Sequence, residues 1–293
     1  MQWNERAADL GYAAGWQVVR ALPHRVASTA FDAGAELTAR RGGSGITQLR
    51  RNLARVLGVD PEQVPERLLR EAMRSYARYW RETFRLPTMD PAVLAANTDV
   101  QGAEHIDAAL AAGKGVVLAL PHSGNWDVAG VWLVGHAGTF TTVAERLKPE
   151  SLYHRFAAYR QGLGFEILAL TGGAESPVRG LIRRLRSGGV ICLLGDRDLS
   201  QAGVPVTFFG AATKMPPGPA RLARSTGAAL LPVHCWFTDD GWCIRVHPAV
   251  DPALDVAAAT QAMADRFAEG IAAHPADWHM LQPLWLADLG QLS

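Results

Sequence analysis

The 293-residue sequence predicts an α/β fold: a mixed, mainly parallel central sheet flanked by helices, with an N-terminal helical layer. Three observations predict it. Short apolar, β-branched runs bounded by Gly or Pro recur after residue 100, as in strands buried on both faces. Helical periods separate those runs, the alternation that builds a sheet with helices on both faces. Before Pro87 the apolar spacing is helical, and a 48% hydrophobic content supplies a large core.

In chain order, residues 1–99 read as a helical region that faces a membrane, and residues 100–293 as the α/β core, the two forming one compact unit. The opening stretch sets Trp3, Leu10, Ala14, Trp16 and Val19 among Glu5, Arg6 and Asp9, a composition that suits either a headgroup layer or core packing. From Pro61 to Phe84, residues Val64, Leu68, Ala72, Tyr76 (or Ser75), Tyr79 and Phe84 fall roughly on one helical face, with Asp60 as N-cap and Pro61 in the first turn. Leu86 and Pro87 close that helix. Strands are expected at Gly115–Leu120, Thr139–Val143, Glu166–Ala169, Val190–Leu194, Ala229–His234 and Cys243–Val246. Helices are expected at 123–136, 149–162, 175–187, 216–227 and 257–273, and Lys214–Pro219 reads as a loop.

Composition excludes several classes. Net charge is +1, which does not suit a general nucleic-acid binder. Residues 1–87 nevertheless hold 14 Arg against 9 Asp and Glu, 14 − 9 = +5, leaving 1 − 5 = −4 for the remainder. A basic N-terminal third suits an anionic phospholipid surface, and a solvated helical face has the same composition. There is no apolar run long enough for a transmembrane helix and no secretory signal pattern. Three cysteines, Cys192, Cys235 and Cys243, lack CxxC spacing and read as buried thiols of a reducing compartment, with no metal site.

Ligands of open α/β sheets gather at the carboxyl ends of strands. The strand GVVLAL runs directly into Pro121-His122-Ser123-Gly124-Asn125-Trp126-Asp127, so His122 emerges at such an end and Asp127 falls in the first turn of the next helix. The expectation is that the turn folds Asp127 back onto the imidazole, holding one ring nitrogen protonated while the other accepts a proton from a hydroxyl. A second polar island, Gly195-Asp196-Arg197-Asp198, ends the run Val190–Leu194. Either Asp196 or Asp198 can support His122 from there, and Arg197 can meet a phosphate of donor or acceptor.

PHSGNWD, the Ala158-Tyr159-Arg160 helix, the GDRDL island, Val206–Gly210 (VTFFG) and Lys214–Ala220 (KMPPGPA), in this order, resemble the bacterial lipid A acyltransferase superfamily. Within it the sequence is most similar to the phosphatidylinositol mannoside acyltransferases of actinobacteria, from about residue 100 to the Trp278-containing tail. The resemblance implies a peripheral enzyme on the cytoplasmic face of the plasma membrane. It implies transfer of a long acyl chain from acyl-CoA to a mannose hydroxyl of a glycolipid acceptor, with no cofactor beyond the donor. It makes His122 the base, Asp127 its orienting partner, Asp196 the second-island carboxylate and Arg160 a contact to donor or acceptor. Some members carry Glu in place of Asp196; Asp is one methylene shorter, which favours Asp127 and leaves the main partner of the imidazole open between Asp127 and Asp196.

No GxSxG elbow is present, and neither Ser123 nor Cys192 has the setting of a nucleophile, so direct attack of the acceptor hydroxyl on the thioester is expected. Lys214 and Asp198 complete the candidate substrate contacts. Gly172-Gly173 and Gly188-Gly189 read as turn glycines, and His234 and His247 as structural. Rival readings are acylation of lipid A or another glycolipid, a thioesterase or lipid hydrolase using water, and a lipid-binding protein without catalysis.

Overall fold

The computed structural model describes residues 15–145, 150–172, 176–198 and 202–290. Trp3, Leu10 and Ala14 lie outside the described residues. Residues 15–21 are helical, followed by α1 (His24–Arg41), α2 (Ser44–Leu57), α3 (Glu66–Arg85) and α4 (Pro91–Ala96). Asp60 caps only a short 3₁₀ turn, Pro61–Gln63, and the long helix starts after Pro65. A proline has no N–H to give and disfavours helix in the residue before it, so Pro65 ends the turn and opens the helix. Ile46, Leu49, Leu53, Leu69 and Ala72 form the core of this layer.

The seven-stranded sheet consists of β1 (Thr98–Gln101), β2 (Val116–Leu120), β3 (Thr141–Ala144), β4 (Glu166–Ala169), β5 (Val190–Leu194), β8 (Ala229–Phe237) and β9 (Trp242–Val246). Its order is β1-β9-β8-β2-β5-β3-β4, and every neighbouring pair is parallel except β8 with β9. The missing strands of the sequence reading are β1 and the hairpin β6 (Val204–Phe208) and β7 (Ala211–Met215). Phe209 and Gly210 both take positive φ, the two-residue hairpin turn that fits strand twist, so VTFFG is strand and turn, and Lys214 sits in a strand rather than a loop.

Helices α5 (Ala103–Ala111) and α6 (Trp126–Ala137) cover one face of the sheet; α8 (Pro177–Arg186), α9 (Gly218–Thr226) and α10 (Val256–Ala273) cover the other, after α7 (Glu150–Gly162). Central β2 feeds both cores: Val117 and Ala119 point one way, and Val116, Leu118 and Leu120 the other. The tail around α11 (Leu286–Leu289) stitches the helical layer to the sheet. Asn52 donates to the carbonyls of Met280 (2.7 Å) and Gln282 (3.0 Å), and Arg55 grips Asp288 with two hydrogen bonds of 2.7 and 2.8 Å. Among the described residues no helix is long and apolar enough to cross a membrane.

Candidate active site

The register Leu120↔Leu194 brings the ends of parallel β2 and β5 side by side, and so brings His122 to Asp196. The Asp196 carboxylate is fully buried. Its Oδ1 lies 2.6 Å from His122 Nδ1, while its Oδ2 accepts from the His122 backbone N–H (3.0 Å) and from Trp278 Nε1 (3.0 Å). Burial pushes the Asp196 pKa up, but the His122 imidazole and these donors outweigh it and hold the carboxyl below its ordinary range. An ionised Asp196 keeps the proton on Nδ1, which leaves Nε2 as the ring nitrogen able to take one.

The turn after His122 is fixed from several sides. Gly124 has φ +58°, and a Cβ there would meet the Cys235 carbonyl at 2.7 Å, so only glycine fits. Its N–H donates to the Asp277 carbonyl (2.9 Å), and the His279 N–H donates to the His122 carbonyl (2.8 Å). Asn125 caps α6 by accepting from the N–H groups of Asp127 and Val128, both at 3.1 Å. The Asn125 amide in turn donates to buried Glu82 of α3 (2.8 Å), which Trp242 Nε1 (2.8 Å) and Arg78 (2.7 Å) also hold.

Asp127 corrects the sequence reading. Its carboxylate accepts from Arg160 Nε (2.8 Å) and Nη2 (3.3 Å), with the Tyr79 hydroxyl at 3.5 Å, rather than folding back onto the imidazole. Asp127 is the second residue of α6, so its side chain already follows helical geometry and projects toward α7 and α3. The partner of His122 is Asp196, across a strand pair. Arg160 is likewise engaged with Asp127: burial lowers its pKa, but attraction to Asp127 and two tyrosines raises it above its ordinary value. Tyr79 also stacks on Trp126 (centroids 4.0 Å apart), whose ring lies edge-on to His122.

His122, Trp126, Asp127, Arg160, Arg197 and Asp198 line one cavity of about 1070 Å³ that is otherwise largely aliphatic and aromatic, including Leu118, Leu133, Phe165, Leu181 and Leu222. Asp198 does not support His122; its carboxylate accepts from the Gly203 N–H (2.7 Å), tying the loop after β5 to the hairpin. Lys214 is exposed on β7 and is not among the cavity-lining residues. Burial raises the Cys192 pKa above its usual value, so its thiol stays protonated, and the buried Ser123 hydroxyl makes no hydrogen bond among the described residues. Neither is placed as a nucleophile. Among the described residues no group of three or more His, Cys, Asp or Glu can hold a metal ion.

Three contributors carry no local sequence signal. Glu82 lies 43 residues from Asn125, and Trp278 lies 82 from Asp196. Ser75 donates to Asp277 (2.6 Å) and sits 3.0 Å from His279 Nε2. Burial, with the nearby His122, pushes the His279 pKa down to about 3, so this ring is neutral beside the site.

The family model described as bacterial lipid A biosynthesis acyltransferase matches residues 4–287. The chain is 62% identical over 288 residues to a phosphatidylinositol mannoside acyltransferase of Mycobacterium tuberculosis (strain CDC 1551 / Oshkosh), covering 97% of this chain and 90% of the relative. It is 61% identical over 285 residues to the protein of that name in Mycolicibacterium smegmatis, covering 97% and 93%. A lipid A biosynthesis acyltransferase of Haemophilus influenzae is 25% identical over 165 residues, covering 55% and 51%. With His122, paired to Asp196, lining an apolar cavity, these likenesses identify the chain as a member of the bacterial lipid A biosynthesis acyltransferase family, an enzyme that transfers acyl groups.

Proposed function

We propose that the enzyme moves a long fatty acyl chain from acyl-CoA to a mannose hydroxyl of a phosphatidylinositol mannoside, at the cytoplasmic face of the plasma membrane. The observation that carries the reading is the imidazole of His122, held through Nδ1 by a buried carboxylate and lining a largely apolar cavity of about 1070 Å³. The names of the relatives at 61% and 62% identity support the choice of acceptor. Nε2 takes the hydroxyl proton as the sugar oxygen attacks the thioester carbonyl. Asp196 stabilises the imidazolium, and the tetrahedral intermediate collapses to ester and CoA thiolate, which recovers the proton. No covalent acyl-enzyme enters. Asp127 and Arg160 act as positioning residues that set the start of α6 against α7, with Arg160 and Arg197 facing the substrates.

The test is incubation of purified protein with a panel of acyl-CoAs and glycolipids, with products identified by mass spectrometry. The expected product is a mono-acylated mannoside. His122→Ala lowers turnover by roughly 10²–10⁴-fold. Consumption of acyl-CoA without any acylated lipid replaces the reading with a hydrolase.

A further inference from the structure

At least six of the 14 arginines of residues 1–87 are engaged in ion pairs within the chain. Arg40 and Arg74 engage Glu36, Arg50 engages Glu66, Arg55 engages Asp288, Arg67 engages Glu71, and Arg78 engages Glu82. A different cationic surface lies beside the cavity. Helix α8 presents Arg179, Arg183 and Arg186 at a spacing of four and three residues, one helical stripe opposite buried Leu181 and Leu185. Helix α9, packed against it, adds Arg221 and Arg224 one turn apart. All five side chains are exposed, and neither helix contains an Asp or Glu. Among the described residues, Arg179, Arg186, Arg221 and Arg224 make no ion pair.

Aliphatic side chains border this stripe. Val178, Leu170 and Leu194 are 53%, 41% and 37% exposed, yet all three line the cavity, so they stand at its mouth. Arg221 and Arg224 line it as well. Exposed aliphatics next to arginines on helices without Asp or Glu are the composition of a surface that rests in a headgroup layer: aliphatic tips enter the acyl boundary while guanidiniums grip phosphates.

We propose that the α8–α9 face is where the enzyme docks on an anionic phospholipid bilayer, so that the cavity mouth opens onto the lipid. The proposal rests on the peripheral-membrane reading above and moves its contact surface from the N-terminal third to this face. Charge complementarity favours a bilayer over a single nucleotide. Arg186 lies seven positions after Arg179 on α8, roughly 10 Å of helix at 1.5 Å per residue, with a second helix alongside. One diphosphate does not span that stripe, whereas a plane of headgroups does.

The experiment measures partitioning onto phosphatidylcholine vesicles with and without phosphatidylglycerol, using the full chain. Wild type is expected to bind the anionic vesicles and to release as salt rises. Arg179→Gln/Arg183→Gln/Arg186→Gln, whose side chains lie outside the cavity lining, is expected to bind them roughly 10- to 100-fold more weakly at low salt. Its turnover of detergent-dispersed substrates and its circular dichroism stay as in wild type. Val178→Asp, a single exposed change, weakens partitioning in the same direction. Wild-type binding that survives the triple change but is lost in Arg25→Gln/Arg40→Gln/Arg41→Gln overturns the proposal and leaves the membrane reading standing. Absence of wild-type binding to either vesicle overturns the membrane reading itself. A triple variant that binds vesicles normally but has a raised KM for acyl-CoA makes the face a nucleotide site instead.

Discussion

Asp127 and Asp196 are both almost fully buried, and their substitutions separate two kinds of work. Asp196→Asn keeps a side-chain oxygen near Nδ1 but removes the charge that stabilises an imidazolium. Turnover is expected to fall roughly 10²–10⁴-fold with the folded state retained, read by steady-state kinetics beside thermal melting. Asp127→Asn instead strands the Arg160 guanidinium, whose side chain is 21% exposed, without a counter-charge. The expected loss is about 3 kcal/mol of stability, measured by urea unfolding. Equal stability losses in the two variants would merge the roles separated here. Residue spacing made both carboxylates visible as candidates. It did not show which one meets the imidazole, because that depends on the β2–β5 register and on α6 having begun one residue before Asp127.

At the scale of elements, β4 and β5 match their expected bounds, and the predicted helices after residue 120 lie within about three residues of those observed. These segments announce themselves because both faces of the strands are apolar. The strand β1 (TDVQ) does not, being a short, partly exposed edge strand without an apolar run. The hairpin β6–β7 was hidden by Pro205 in β6 and by a Phe in the turn, a residue that rarely takes positive φ. The turn between β2 and α6 is the element whose shape matters most for turnover. Gly124→Ala has to move either itself or the Cys235 backbone, and is expected to cost about 1–3 kcal/mol and to displace His122. Single-turnover rates are expected to drop by roughly 10²-fold, since small misplacements of a catalytic group are that expensive. A wild-type rate in Gly124→Ala would mean that the turn tolerates the shift.

For the molecule as a whole, acid sensitivity follows from buried imidazoles. His234 and His279 are both held down to a pKa of about 3, burial being the largest cause in each. The unfolded chain binds these protons near pH 6.5 and the folded chain does not. Stability is therefore full above about pH 6.5 and falls as pH drops toward 3, by roughly 1.4 kcal/mol per unit for each histidine. Urea midpoints measured across that range give the slope. His234→Phe is expected to flatten it, since among the described residues neither nitrogen of His234 has a hydrogen-bond partner to lose. A slope unchanged by this substitution would assign the acid response to other groups. None of this was legible in sequence, where His234 reads as one polar residue in a strand.

The thread from Asp277 to Asp288 has a consequence for the timing of synthesis. His122 meets Asp196 across 74 residues of chain, and Asp196 receives its indole donor 82 residues later still. The same late segment supplies the carbonyl that holds Gly124 and the amide that holds the His122 carbonyl. A ribosome that has translated both members of the pair has therefore made a sheet edge whose carboxylate is under-coordinated and whose turn is loose. The complete site therefore needs the tail, the part of it made last, and a chain truncated before Trp278 is expected to lack turnover in the assay above.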